Sequence, residues 1–190
     1  MNLKKQTIED VNLRGKRVLI RADFNVPLDD ALQITDDTRI RSTLPTINRA
    51  VDEGARVILC SHLGRPTGPS DLKFSLAPIA KRLQRLLGKE VAFAPDCIGP
   101  AAEALVARMK PGDVLLLENL RFHAGEENND EAFSKSLAAL ADVYINDAFG
   151  AAHRAHASIV GVPKFVPVSA AGYLLKKEIE GVSYLLFAKR

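Results

Sequence analysis

Asp23 and Asn25, His62 and Arg65, Asn119 and Arg121, and Asp147, His153, Arg154 and His156 form four polar groups. Each stands directly behind a short apolar run. Arg39 and Arg41 stand at the start of an amphipathic stretch. A guanidinium fork suits carboxylate and phosphate bidentately. Several arginines on one rim repel one another, which a fold tolerates where they are solvated or meet an anion. Gly64 lets the backbone approach such a ligand closely. Asp23 and Asn25 suit a hydroxyl, because a carboxylate repels phosphate. The combination predicts a small, multiply anionic ligand that also carries a hydroxyl.

Each residue has a plainer reading. A strand-end arginine is often a solvated loop charge, His62 a loop hydrogen-bonder, Asp23 the cap of a turn and Glu118 the partner of an arginine. His153 and His156 have a spacing that hints at metal but lack a third ligand, so no metal is expected. Cys60 lies close to His62 without the third member of a nucleophilic set. Convergence on one edge is what favours the anion site.

The elements that must position these groups alternate. Val18–Ile20 reads as a strand buried on both faces, followed by a turn or small hairpin and a helix from about Asp37 to Asp52. Its stripe is Ile40, Leu44, Ile47 and Val51, with Pro45 expected to bend the helix or shift its start and Gly54 to stop it. Further strands are expected at 56–60, 90–94, 114–117 and 142–145, with a sixth near Ile159–Val162. Helices are expected after Ser75 as cap, from Pro100 to about Lys110, from Asn129 or Asp130 through Ala141, and from near Ser169 onward, including Tyr173, Leu174, Ile179 and Leu185. Such alternation means βαβ units and an α/β fold. The expected architecture is three-layer and doubly wound, Rossmann-like, with a mainly parallel sheet of about six strands and helices on both faces. Ligands bind such sheets beyond the carboxyl ends of the strands, where helix N-termini also favour anions.

The totals bound the class. A chain of 190 residues, 47% hydrophobic and 26% charged, is an ordinary globular protein with room for one large domain or two small ones, the single domain being favoured. The net charge of +3 does not suggest nucleic-acid binding. No apolar run is long enough for a membrane span, and the N-terminus lacks a signal-peptide core, so a cytoplasmic protein is expected. Cys60 and Cys97 read as buried, reduced thiols. Neither GxxxxGK[ST] nor GxGxxG is present, so the chain has the look of a substrate-holding half without a nucleotide cradle.

The segments RADFNVP (21–27), TRI around Arg39, SHLGRP (61–66), FSLAPIAKRL (74–83), DCIGP (96–100), LLLENLRFH (115–123), DVYINDAFGAAHRAHAS (142–158) and AAGYLLKKEI (170–179) closely resemble phosphoglycerate kinase. The resemblance is to the N-terminal half of that family only. It implies a phosphoglycerate-binding domain over 1–170 and the start of an interdomain hinge helix over 171–190, with the C-terminal nucleotide-binding domain absent. The family transfers a phosphoryl group reversibly between ATP and the carboxylate of 3-phosphoglycerate.

The implied substrate-binding residues are Asp23, Phe24, Asn25, Arg39, His62, Leu63, Gly64, Arg65, Arg121 and Arg154, with Arg39 as the catalytic arginine. Asp23 and Asn25 would meet the glycerate end, and His62, Arg65, Arg121 and Arg154 the phosphate. No cofactor is expected in this chain; Mg-ATP or Mg-ADP would be held by the other half. The expected partners are 3-phosphoglycerate or 1,3-bisphosphoglycerate and the C-terminal domain in cis, with self-association through apolar surface on which the very end of the family's chain packs. The chain alone is expected to bind 3-phosphoglycerate without turnover. The competing expectation is a non-enzymatic anion-binding or interaction module.

Overall fold

The computed structural model describes residues 6–187. Six strands form one sheet: β1 (Arg17–Arg21), β2 (Arg56–Cys60), β3 (Val91–Phe93), β4 (Val114–Leu116), β5 (Val143–Asn146) and β6 (Val168–Ala171). The order across the sheet is β3-β4-β2-β1-β5-β6, and every ladder is parallel. The chain moves outward from β1 on one side, then returns to β5 and continues to β6 on the other. The order therefore reverses between β1 and β5, where open α/β sheets leave a crevice.

Six helices complete the layers: α1 (Thr38–Asp52), α2 (Ala77–Leu87), α3 (Pro100–Arg108), the single turn α4 (Ala124–Glu127), α5 (Glu131–Ala138) and α6 (Tyr173–Phe187). Strand side chains alternate strictly between two cores. Val18, Ile20, Val57, Leu59, Leu116 and Ile145 pack with Ile40 and Ile47 of α1 and Ile79 and Leu83 of α2. Leu19, Ile58, Leu115 and Tyr144 pack with Val106 of α3 and Phe133 and Leu137 of α5. Both faces are covered, which is why the strands are apolar throughout rather than alternating.

Pro45 lies inside α1 without breaking it, and the helix starts within a residue of its expected place. Leu44 and Val51 are only half-buried; Thr43, Thr46 and Ala50 complete the buried face instead. The expected sixth strand near Ile159–Val162 is a correction: Ala157–Gly161 forms a single π-helical turn. The strand lies at Val168–Ala171, with Val168 and Ala170 packed toward the first core, and α6 begins at Tyr173 rather than Ser169. Small Ser and Ala residues do not announce a strand, and here the β5 ladder holds them in one. Residues 27–37 form a loop closed by one antiparallel bridge, Leu28 to Ile34. The polar lead-in is described only from Gln6, and Leu185 lies within α6.

Candidate functional site: a cationic rim at the carboxyl ends of the strands

All strands being parallel, the segments after β1, β2, β4 and β5 emerge on one edge, and hydrogen bonds tie them together. Gly64 N donates to Asn25 Oδ1 at 2.9 Å, joining the segments after β2 and β1. Asn119 Oδ1 accepts from Leu63 N at 3.3 Å and from Arg121 N at 3.0 Å, while its Nδ2 donates to Leu63 O and Phe74 O. Arg121 Nη1 donates to Gly64 O at 2.8 Å. Gly64 has φ +60, and a Cβ there would meet the Phe74 ring, so a side chain at this junction is strained on both counts.

Arg39, in the first turn of α1, reaches Asp23 with Nη1–Oδ2 at 3.1 Å. Asp23 Oδ1 also accepts from Asn25 N, so the same carboxylate shapes the turn and steadies the arginine. Arg65 and Arg154 are exposed, and neither guanidinium has a hydrogen bond or ion pair among the described residues. Phe24 and Leu63 are buried in the first core; Phe24 N donates to Ser61 Oγ at 2.9 Å. They hold the rim's backbone, with their side chains turned inward.

Beneath the rim lies a buried relay that the sequence did not single out. Arg21 is fully buried at the end of β1. Its Nε donates to Ser158 Oγ at 2.8 Å, its Nη1 to Ala22 O, and its Nη2 lies 3.0 Å from His62 Nδ1. Ser158 Oγ in turn donates to Glu126 Oε1, and Glu126 Oε2 accepts from Ser158 N at 3.0 Å. A guanidinium has no acceptor, so His62 Nδ1 must accept and the ring proton sits on Nε2. Burial, then the fields of Arg21, Arg121 and Arg154, push the His62 pKa down to about 2. His62 is therefore a neutral N–H donor. Burial, with Arg154 and Arg21 adding to it, also lowers Arg121, whose Nε has no hydrogen bond and lies 3.6 Å from Glu127 Oε1.

A family model described as phosphoglycerate kinase matches residues 8–190. The chain belongs to the phosphoglycerate kinase family. Among curated phosphoglycerate kinases it is 61% identical to that of Geobacter metallireducens over 168 residues, covering 88% of this chain and 42% of the relative. It is 58% identical to that of Desulfosudis oleivorans over 174 residues, covering 92% and 44%. The solved phosphoglycerate kinase of Pyrococcus horikoshii superposes with a TM-score of 0.89 at 34% identity, over 97% of this chain and 46% of that one. That of Coxiella burnetii gives 0.85 at 39% identity, over 95% and 44%. The chain thus spans less than half the length of the phosphoglycerate kinases it matches.

Two expectations change at this site. Glu118 pairs with no arginine among the described residues. Its carboxylate accepts from Leu76 N, Ser75 Oγ and Asn119 N, holding the entry to α2 against the end of β4. Ser75 is correspondingly not a simple cap, since its hydroxyl donates to Glu118 while accepting from Ala77 N. Cys60 is an inert core thiol, pushed up to about 12 by burial. Asp147, fully buried, caps α6 by accepting from Leu174 N at 2.9 Å and Leu175 N at 3.3 Å. Burial raises its pKa to about 6.

Proposed function

We propose that this chain is the half of a phosphoglycerate kinase that holds 3-phosphoglycerate or 1,3-bisphosphoglycerate, and that it binds this ligand without turning it over alone. The supporting observation is the concentration of Arg21, Arg121 and Arg154 around a neutral His62, with Arg154 unpaired among the described residues. Repulsion within such a group is relieved by an anion, and the Nε2–H of His62 and the exposed guanidinium of Arg154 are donors for one. In this reading His62, Arg65, Arg121 and Arg154 take the phosphate. Asp23 and Asn25 take the hydroxyl and the glycerate end.

Arg39, steadied by Asp23, is the catalytic arginine. Its remaining N–H groups would balance charge as it builds on the carboxylate and the transferring phosphoryl group, which is where phosphoryl transfer gains most from a protein. Residues 1–170 form the substrate domain, and 171–190 begin the helix leading to a nucleotide-binding half in cis. That half supplies Mg-ATP or Mg-ADP in the complete enzyme, whose reaction is reversible phosphoryl transfer to the carboxylate of 3-phosphoglycerate.

Calorimetric titration of the chain with 3-phosphoglycerate tests the proposal. Weak binding that fades with added salt, and fades further in Arg121→Met and Arg154→Met, is expected; no heat at millimolar ligand overturns it. A coupled ATP assay should stay at background, and measurable turnover would refute the assignment of the nucleotide to another half.

A further inference from the structure

Asp96 and Cys97, behind β3, meet His123, behind β4. One ligand-capable atom from each, a carboxylate oxygen, a thiol sulfur and a ring nitrogen, lies within 4.8 Å of the other two. We propose that these three side chains form a binding site for a borderline-soft divalent cation of the zinc class.

The donor set is the first argument. Mixed N, S and O ligands are those zinc uses, and three protein ligands with one open position is its usual arrangement outside closed structural sites. Bonds of about 2.0–2.3 Å place tetrahedral ligands about 3.3–3.8 Å apart, inside the limit these atoms already satisfy. Asp96 Oδ1 and His123 Nε2 are hydrogen-bonded at 2.7 Å, so a cation entering between them parts them by less than about 1 Å.

Orientation is the second. Asp96 Oδ1 also accepts from Cys97 N at 2.7 Å, which fixes the carboxylate beside the thiol. The His123 ring rests on Phe133 with centroids 5.4 Å apart, so its nitrogen is aimed rather than free to rotate. Charge is the third: a carboxylate, a thiolate and a neutral imidazole sum to −2 and cancel a divalent ion, leaving no net charge against the second core, where Cys97 lies. Access is the fourth: Cys97 closes the inner side, while Asp96 and His123 keep 45% and 30% of their side chains exposed. A surface groove lined by His123, Ile98, Asn128, Asp130 and Phe133 opens beside them. Water can therefore enter as the fourth ligand. On binding, metal–sulfur, metal–oxygen and metal–nitrogen bonds form, the Cys97 proton passes to solvent, and the proton His123 Nε2 shares with Asp96 Oδ1 leaves Nε2 while solvent returns one to Nδ1, so the ring stays neutral.

Titration with Co²⁺ tests the site, because thiolate-bound tetrahedral cobalt has both a charge-transfer band and intense visible bands. Both are expected in the parent chain and to be quenched by equimolar Zn²⁺. Cys97→Ser should abolish the charge-transfer band, and His123→Asn and Asp96→Asn should each weaken binding at least tenfold. His153→Ala, which removes an exposed surface donor, should leave both bands unchanged. Absence of bands at millimolar Co²⁺, or bands that survive Cys97→Ser, overturn the proposal. If a variant fails to fold, anomalous diffraction from a zinc-soaked crystal of the parent chain decides: a peak between Asp96, Cys97 and His123 supports the site, and a peak elsewhere or none refutes it.

Discussion

Replacing His62 by glutamine should change how stability depends on pH. The parent His62 is held neutral in the fold, its pKa pushed from 6.5 down to about 2, first by burial and then by Arg21. In the unfolded chain it protonates near 6.5. As pH falls below 6.5 the unfolded state therefore takes up a proton that the folded state refuses, and stability drops by about 1.4 kcal/mol for each pH unit. Two units below 6.5 the loss is about 3 kcal/mol.

Asp147 works in the opposite sense. Its folded pKa of about 6 exceeds the ordinary 3.8, so its contribution is fully present below 3.8 and is lost as pH rises through 6. The two slopes oppose each other between about pH 6 and pH 4. Glutamine keeps an acceptor for Arg21 but cannot titrate. His62→Gln should be less stable than the parent at pH 7 and should close that gap by about 3 kcal/mol at pH 4.5. Urea unfolding followed at pH 7, 6, 5 and 4.5 measures it. Parallel curves for parent and variant would refute the buried neutral imidazole.

Asp147→Asn keeps an acceptor for Leu174 and Leu175 while removing the buried charge; it should match or exceed the parent in urea stability at pH 7, by up to about 3 kcal/mol, and lose that advantage by pH 4. A loss at pH 7 would contradict the raised pKa. Gly64→Ala places a side chain at positive φ against Phe74 and should cost about 2–4 kcal/mol in thermal unfolding; an unchanged melting temperature would mean that the junction is not constrained as described.

Strand positions were legible because both faces of the sheet are buried. RVLIR, RVILC and VYIN are apolar enough to declare themselves, and each ends where its polar group begins. VSAA did not, because its place in the sheet comes from pairing with β5 rather than from its own side chains. At the site, exposed arginines after strands could be read directly, whereas Arg21 could not. It falls within the apolar run of β1, and its role depends on Ser158 and Glu126, residues 137 and 105 positions away that only the fold brings to it. Glu118 misled for a similar reason: beside a cationic segment it suggests an ion pair, yet its backbone and hydroxyl donors come from the entry to α2.

Amide chemical-shift mapping of the ¹⁵N-labelled chain with 3-phosphoglycerate tests the rim most directly. The account predicts shifts concentrated at His62, Gly64, Arg65, Arg121 and Arg154, with Asp23 and Asn25, and their suppression by salt. Shifts gathered at the opposite edge of the sheet, or none with millimolar ligand, would contradict it.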